Sequence, residues 1–314
     1  MPDYITIDDV KIGLGQHKKV NLNIARLPTH TNIDLPVHVF RAKTDGPVLL
    51  LTGGLHGDEI NGIEIIRRLI KTKQIVPEYG TVIALPIVNA YGFILNVRGV
   101  PDGKDINRSF PGAKGGSLAR LMAYTLMNQI LPQVDLGVDF HTGGASRSNF
   151  PQIRCSFNLP ESKEYAKAFA PPVVLHSTLI SKSFRYAAHK KGKPILVYEA
   201  GESLRISETG VIEGINGTRR LMKHLGMITT EVPLQNQVKM YRKSTWLRAN
   251  KSGLYRPKAD LGADINKGQE LGHVNDPFGG KSTKVVFSGV GKIIGQNYNP
   301  IVHKGDALIH IAYN

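Results

Sequence analysis

The sequence predicts an α/β protein with a mostly parallel mixed sheet, helices on both of its faces, and a smaller C-terminal all-β domain. Between about residues 45 and 226, short apolar runs alternate with amphipathic segments of helical spacing, which is typical of a parallel sheet covered on both faces. Alternating runs before residue 45 favour antiparallel edge strands. After about residue 230, glycines separate short strand-like pieces, as in tight β-hairpins. We therefore divide the chain into domains at 1–230 and 231–314.

Within the first domain, the apolar runs predict four buried strands, and segments of helical spacing predict three helices. The predicted strands are 46–52, 81–88, 134–140 and 193–200. The predicted helices are 58–72, 117–131 and 208–226. Ser117 is expected to cap the second helix, and the third ends on a glycine.

The composition is that of an ordinary globular protein. The chain has 314 residues, of which 41% are hydrophobic and 21% are charged, and this length is enough to bury a core. No apolar stretch approaches the roughly 20 residues that a membrane helix needs, and the first residues do not have the pattern of a secretory signal. The single cysteine, Cys155, excludes an intrachain disulfide and fits a reducing compartment. We expect a cytoplasmic protein without a membrane partner.

The chain carries a formal charge of +15, from 40 Lys and Arg against 25 Asp and Glu. A nucleic-acid-binding protein usually concentrates its positive charge on one face or along one helix. Here the basic residues are scattered, and their longest concentrations, at 189–193 and 241–251, are short. We favour a solvated basic surface that draws small anionic substrates, and we expect no nucleic-acid partner. The sequence leaves a homo-oligomer open.

Polar side chains follow or close each of the four predicted strands. They are His56 with Glu59, residues 105–108, Asp139 with His141, and Glu199 with Glu202. In open parallel sheets, ligands bind outside the carboxyl ends of the strands. We therefore expect these groups to converge although they are far apart in the sequence.

The first and third groups together suggest a metal site. His56 and Glu59 lie one helical turn apart, after two glycines that allow a sharp turn. With His141 they form a set of two histidines and one glutamate, which binds catalytic zinc and leaves one position for water. Asp139 lies on the same strand face as His141 and could accept a proton from its other ring nitrogen. A single His-x-x-Glu is more often a solvated helix start, but the strand, the glycines and the second histidine favour one zinc ion per chain.

Glu199 follows a buried run, so its carboxylate needs a partner or a function. Near a metal-bound water it would act as a general base. The alternative is a structural salt bridge to a nearby arginine. Glu202 is expected at the rim of the site.

Asn107 and Arg108 suit the recognition of a substrate carboxylate, because an arginine fork and an amide can together donate three hydrogen bonds. The alternative is an ion pair with Asp105 that orders the loop. Arg98 could reach the same cleft and stabilise an oxyanion formed during attack.

Four motifs together resemble the succinylglutamate desuccinylase/aspartoacylase family, which is related to the zinc carboxypeptidases. The motifs are GGLHGDE, DINRSFPG, VDFHTG and YEAGE. The resemblance covers about residues 45–226 and extends into the C-terminal β domain. It implies a zinc carboxypeptidase-like fold and a zinc-dependent hydrolase that cleaves an amide joining an acyl group to an amino acid.

The resemblance also implies roles for individual residues. The matching positions are His56, Glu59 and His141 for zinc, Asn107 and Arg108 for the substrate carboxylate, and Glu199 for the base and proton shuttle. Arg98 only approximates the spacing of the family's carbonyl-polarising arginine. Tyr255 is a candidate for a tyrosine that the β domain contributes in some members. The C-terminal domain is also similar to lipoyl- and biotin-carrier domains, but it lacks their modifiable lysine.

The sequence therefore predicts a zinc-dependent amidohydrolase, a deacylase acting on an N-acyl amino acid or a related small amide with a free carboxylate. Aspartoacylase, succinylglutamate desuccinylase and acetylated diamino acid deacetylase activities all fit this prediction. Two alternatives stay open. One is a metallocarboxypeptidase acting on short peptides, and the other is a basic binding protein whose hydrolase site is silent. Histidine and carboxylate ligands also accept divalent ions other than zinc.

Overall fold

The computed structural model describes residues 4–26, 30, 32–234 and 237–314, which contain nineteen strands and six α-helices. The strands are β1 (Tyr4–Ile7), β2 (Val10–Gly13), β3 (His17–Arg26), β4 (Asn32–Arg41), β5 (Thr44–Thr52), β6 (Tyr79–Leu85), β7 (Leu136–Gly143), β8 (Arg147–Cys155), β9 (Val173–His176), β10 (Ile195–Glu202), β11 (Lys239–Tyr241), β12 (Lys243–Arg248), β13 (Gly253–Pro257), β14 (Asp264–Ile265), β15 (Glu270–Asn275), β16 (Thr283–Val286), β17 (Gly291–Asn297), β18 (Ile301–Val302) and β19 (Ala307–Tyr313). The helices are α1 (Ile60–Lys71), α2 (Ala90–Leu95), α3 (Leu118–Thr125), α4 (Pro160–Phe169), α5 (Phe184–His189) and α6 (Glu208–His224). None of the described helices combines the length and the apolar character needed to cross a membrane.

The centre of the main sheet is parallel. β6, β5, β7 and β10 lie side by side with parallel neighbours. At one edge β4 pairs antiparallel with β6, and β3 pairs antiparallel with β4. On the other side β8 pairs antiparallel with β10. This arrangement confirms the predicted mixed α/β sheet, including the antiparallel edge strands before residue 45.

Helices bury apolar side chains against both faces of the sheet. On one face α1 packs onto β5 and β7, and α4 and α6 pack onto β8 and β10, with Leu69 of α1 and Phe169 of α4 fully buried. On the other face α3 and α5 pack onto the sheet through residues such as Met122 and Phe184. The predicted double covering of the sheet is therefore confirmed.

The C-terminal part of the chain is all-β, as predicted, but its strands serve two sheets. β13, β15, β16 and β18 form a separate antiparallel sheet over its own apolar core. β17 pairs antiparallel with β8, and β19 and β12 follow it, so these strands extend the main sheet. Among the described residues the main sheet thus reaches thirteen strands. This continuity places the C-terminal strand β12 in the same sheet as β10, with β19, β17 and β8 between them.

Several predicted elements have different limits in the structure. β7 and β10 extend beyond the predicted ends, so His141 and Glu202 lie within strands rather than after them. Ser117 does occupy the N-cap position of α3, but its side chain makes no capping hydrogen bond. The predicted helix 117–131 is α-helical only to Thr125 and continues as a π-helical turn and a 3-10 turn that contains Pro132. A proline cannot donate the hydrogen bond that an α-helix needs.

Candidate active site

The chain leaves β5 through a tight turn that fixes the first two site residues. Gly54 has φ of 58°, in the left-handed region that favours glycine. A Cβ on Gly53 would lie 2.8 Å from the carbonyl carbon of Gly62 in α1, so only glycine fits between the strand and the helix. His56 and Glu59 follow at once, and Glu59 is the N-cap residue of α1. Both are buried at 2% exposure.

His56, Glu59 and His141 form a compact buried cluster, in which one ligand atom from each residue lies within 4.8 Å of the other two. The Nδ1 atoms of the two histidines are 3.2 Å apart. Glu59 places Oε1 2.7 Å from Nδ1 of His56 and Oε2 2.8 Å from Nδ1 of His141. Ligand atoms at the usual zinc distances in a tetrahedron stand about 3.3 Å apart. The donor set and its spacing therefore fit a small divalent cation, and they bring together the three residues predicted from sequence.

The outer nitrogen of each imidazole faces a carboxylate. Nε2 of His141 lies 2.8 Å from Oδ2 of Asp139, whose Oδ1 accepts a 2.7 Å hydrogen bond from the hydroxyl of Thr52. Nε2 of His56 lies 3.2 Å from Oδ1 of Asp105. Such carboxylates fix the ring orientation and make the inner nitrogen a better ligand. The structure thus confirms the contact expected between Asp139 and His141 and adds Asp105, which the sequence analysis did not assign to a histidine.

The charges around the cluster favour a cation at its centre. Burial alone would lower the pKa of His141, but the carboxylates of Asp139 and Glu59 outweigh it and raise this pKa well above its usual value. Burial alone would raise the pKa of Glu59, but the two imidazoles hold it well below the usual range. A site that attracts a proton between an imidazole and a carboxylate also attracts a metal ion there, because both carry positive charge.

Arg98 reaches the cluster from the loop after α2. Its Nη1 donates a 3.0 Å hydrogen bond to Oε1 of Glu59, and its Nη2 donates a 3.1 Å hydrogen bond to Oδ2 of Asp105. The side chain is 43% exposed, so one side of the guanidinium faces the cleft. The expectation that Arg98 reaches the cleft agrees with this geometry.

Glu199 lies beside the cluster because β10 and β7 are parallel and place Glu199 opposite His141. Its Oε2 accepts a 2.7 Å hydrogen bond from the amide of Asn149, and its Oε1 lies 3.6 Å from Nη1 of Arg154. The carboxylate is 13% exposed. Glu199 can therefore pair with an arginine, as the alternative interpretation expected, and still lie close enough to the candidate metal site to act as a base.

Asn107 and Arg108 form part of a 3-10 turn that Asp105 caps, since the backbone nitrogen of Asn107 donates to Oδ1 of Asp105 over 2.7 Å. The side-chain oxygen of Asn107 accepts a 2.9 Å hydrogen bond from the backbone nitrogen of Phe184, which starts α5. Nη1 of Arg108 donates to the backbone oxygen of Asn107 over 2.7 Å. The carboxylate of Asp105 pairs with Arg98 and a histidine, not with Arg108.

A sequence model of the succinylglutamate desuccinylase/aspartoacylase catalytic domain matches residues 45–225, more than half of the chain. The chain belongs to this family. The resemblance drawn from the four motifs is thereby confirmed, and with it the assignment to a family of deacylases.

Relatives and solved structures agree with this assignment. The chain is 27% identical over 300 residues to the N-alpha-acetyl-L-2,4-diaminobutyric acid deacetylase of Halomonas elongata, covering 88% of this chain and 85% of the relative. It superposes on a succinylglutamate desuccinylase/aspartoacylase from Rhodobacter sphaeroides with a TM-score of 0.82, 26% identity and 95% of each chain covered. The product-bound ectoine utilization protein EutE (DoeB) from Ruegeria pomeroyi gives a TM-score of 0.84 at 24% identity, with 100% of each chain covered, and shows the same fold.

Two cavities meet at the site of this desuccinylase/aspartoacylase family member. The larger has a volume of about 920 Å³, and its walls include Asp58, Arg98, Arg154, Glu202 and Trp246. Glu202 therefore lies on the cavity wall, in agreement with its expected place at the rim. Trp246 comes from β12, so the C-terminal domain supplies part of this wall.

The smaller cavity, of about 100 Å³, lies between the loop of Asn107 and Arg108 and the strands β8 and β10, and Arg154 and Arg185 also line it. Sequence reasoning missed Arg154 and Arg185, as well as Asn149. The available signal for Arg154 was its position between the apolar residues Ile153 and Cys155, which are both buried.

Tyr255 does not belong to this site. It is 3% exposed in the apolar core of the C-terminal domain and lines neither of the two cavities among the described residues. Burial also raises the pKa of its hydroxyl, with a smaller contribution from Tyr298. Tyr255 is therefore a wrong candidate for a tyrosine at the site, because β13 directs its side chain into the apolar core beneath the C-terminal sheet.

Proposed function

We propose that this protein is a zinc-dependent deacylase that hydrolyses the amide bond of an N-acyl amino acid. The observation that carries the proposal is the convergence of His56, Glu59 and His141, with the outer nitrogens of the two imidazoles held by carboxylates. Membership of a deacylase family supports the reaction class. Zinc bound by these three residues would polarise the scissile carbonyl and acidify the attacking water.

The residues beside the cluster supply the proton transfer, the charge stabilisation and the substrate binding. Glu199 takes the proton of the attacking water and returns it to the leaving amine, and the amide of Asn149 orients its carboxylate. Arg98, at the edge of the cleft, offers positive charge to the oxygen that becomes negative during attack. Asn107 and Arg108 hold the substrate carboxylate in the small cavity, which fixes the amide bond relative to the metal site.

An acetylated diamino acid is the first substrate to test. The relative from Halomonas elongata is a deacetylase of such a compound, and the large cavity of this chain has the chemistry for a second amino group. Its wall contains the carboxylates of Asp58 and Glu202, which would pair with an ammonium group. The proposed partner is thus a small substrate with one free carboxylate and one side-chain cation.

The test is a hydrolysis panel with the zinc-loaded protein, in which the released amine is measured. Nα-acetyl-L-2,4-diaminobutyrate, N-acetyl-L-aspartate and N-succinyl-L-glutamate cover the candidate substrates. Glu199→Gln should keep stoichiometric zinc and lose nearly all turnover, whereas the exposed control Glu231→Gln should keep both. His141→Ala should lose zinc and activity. Full activity in Glu199→Gln would refute its role as the base.

A metallocarboxypeptidase is the second candidate, and the volume of the large cavity favours it. About 920 Å³ is more room than an acetylated amino acid fills, so a short peptide could enter. Dipeptides in the same panel decide between the two. Faster release of C-terminal residues from peptides than of acetate from acyl amino acids would replace the deacylase proposal. A protein without zinc and without turnover would instead be a binding protein.

A further inference from the structure

Arg154 is a charged residue one position before the end of β8, with its side chain on the face of the sheet that carries the site. The pairing of β7, β10 and β8 arranges residues in rows across this face. One row contains Asp139, Val197 and Arg154, and the next contains His141, Glu199 and Gln152. Residues paired across adjacent strands point to the same face. Arg154 therefore projects beside the reacting centre.

The guanidinium of Arg154 is only partly satisfied by the protein. Nη1 lies 3.6 Å from Oε1 of Glu199, which is an ion pair too long for a good hydrogen bond. Nε is buried and has no hydrogen-bond partner among the described residues. An unpaired buried donor destabilises the folded protein. The long ion pair with Glu199 compensates for this only in part, and an anionic ligand in the adjacent cavity would add a closer partner for the guanidinium.

The small cavity also has an excess of positive charge. Four arginines line it against the single carboxylate of Asp139, which already contacts a histidine. Arg98 is paired with two carboxylates. Within the described part of the chain, Arg185 donates to neutral oxygens of Arg154, Ser177 and Thr178, and burial lowers its pKa to about 10. A buried cation without a paired anion is unfavourable, so this cavity suits a ligand with negative charge.

We propose that Arg154 binds the free carboxylate of the substrate in this cavity, opposite Asn107 and Arg108, and thereby selects substrates that carry one. The inference rests on the proposed deacylase function and adds a residue from the opposite wall of the cavity. At about 100 Å³, the cavity has room for a carboxylate but not for a further peptide unit. A chain extended beyond this carboxylate would therefore be excluded.

The experiment compares an acid with its matched carboxamide. Hydrolysis of Nα-acetyl-L-2,4-diaminobutyrate and of its carboxamide is measured for the wild type, Arg154→Gln, Arg154→Lys and the exposed control Arg67→Gln. We expect the wild type to prefer the acid by about 100-fold in kcat/KM, since hydrogen bonds to charged groups are the strong ones. Arg154→Gln should raise KM for the acid by about 10- to 100-fold and change the carboxamide less than threefold. Arg154→Lys should fall between them, and Arg67→Gln should match the wild type.

A binding measurement separates this inference from the proposed function. Calorimetric titration of the zinc-loaded protein with L-2,4-diaminobutyrate and with its carboxamide needs no turnover. Equal affinity of the wild type for both ligands, no binding of the acid, or an equal loss for both in Arg154→Gln would overturn the role of Arg154. Absence of hydrolysis of every acyl amino acid would overturn the deacylase proposal, while the titrations would still decide on Arg154. If Arg154→Gln does not fold, Arg154→Lys and the wild-type ligand pair give the answer.

Discussion

Gly62 in α1 sets the distance between the two halves of the candidate metal cluster, and Gly62→Ala should therefore weaken metal binding. An added Cβ would stand 2.6 Å from Cβ of Phe140 and 3.0 Å from its backbone oxygen. Carbon atoms in good contact stand about 3.5–4.0 Å apart, so the helix must retreat by about 1 Å. Phe140 precedes His141 on β7, and Glu59 stands at the start of α1. The retreat thus pulls Glu59 away from His141.

The expected loss of zinc affinity depends on how far this shift exceeds the distances that metal coordination tolerates. Metal–ligand distances hold within about 0.2 Å, so a shift of about 1 Å should cost at least about tenfold in zinc affinity, or about 1.4 kcal/mol. Alanine gains about 1 kcal/mol over glycine in helix propensity, while overpacking costs about 1–3 kcal/mol. The free energy of unfolding of the metal-free protein should therefore change by no more than about 2 kcal/mol.

Zinc affinity is measured by competition with a chromogenic chelator, and stability by the Tm of the metal-free protein. The matched control is Gly217→Ala in α6, where an added Cβ would stand 2.0 Å from a ring carbon of Phe169, far from the cluster. It should lower Tm without changing zinc affinity. Zinc affinity within twofold of the wild type in Gly62→Ala would refute the reasoning that helix spacing sets the ligand geometry.

Three further predictions concern groups that hold the site residues. Asp139→Asn should weaken zinc binding about 10- to 100-fold in the chelator assay, because His141 loses its carboxylate partner. The control Thr52→Val removes only the hydroxyl hydrogen bond to Asp139 and should change zinc affinity by a few-fold at most. Asn149→Ala should lower kcat about tenfold with little change in KM, since Glu199 loses its 2.7 Å hydrogen bond. Steady-state kinetics at unchanged zinc content measures both constants, and a change in KM alone would contradict the role of Asn149. Zinc affinity should fall as the pH falls, because carboxylates raise the pKa of His141 and protons compete with zinc for its ring nitrogen. A zinc affinity that does not change between pH 5 and pH 8 would argue against His141 as a ligand.

Most of the parallel core could be predicted from the sequence, because its strands are buried on both faces and appear as continuous apolar runs. The run at 46–52 and the helical pattern at 58–72 correspond closely to β5 and α1. β8 was not predicted, since Pro151 and several polar residues interrupt its alternation between Arg147 and Cys155. Its pairing with β10 on one side and β17 on the other depends on contacts far apart in sequence, which no local pattern encodes.

In the candidate site, too, some residues could be predicted from the sequence and others could not. His56, Glu59, His141 and Glu199 stand at strand ends, and the topology of a parallel sheet brings such positions together, so the sequence was enough to predict their proximity. The partners from β8 were missed because that strand was missed. The candidate Tyr255 proved wrong because the sequence gives no indication of which face of β13 points inward.

The pairing of β17 with β8 means that the chain cannot be divided into two working pieces at the turn after α6. Removing everything beyond residue 230 would leave residues 147–149 of β8 without the partner strand β17, while β9 would still cover residues 152–155. That same strand carries the amide that steadies Glu199. A truncated chain should therefore associate with itself through the exposed segment and hold the carboxylate of Glu199 less firmly, although every predicted metal ligand would still be present.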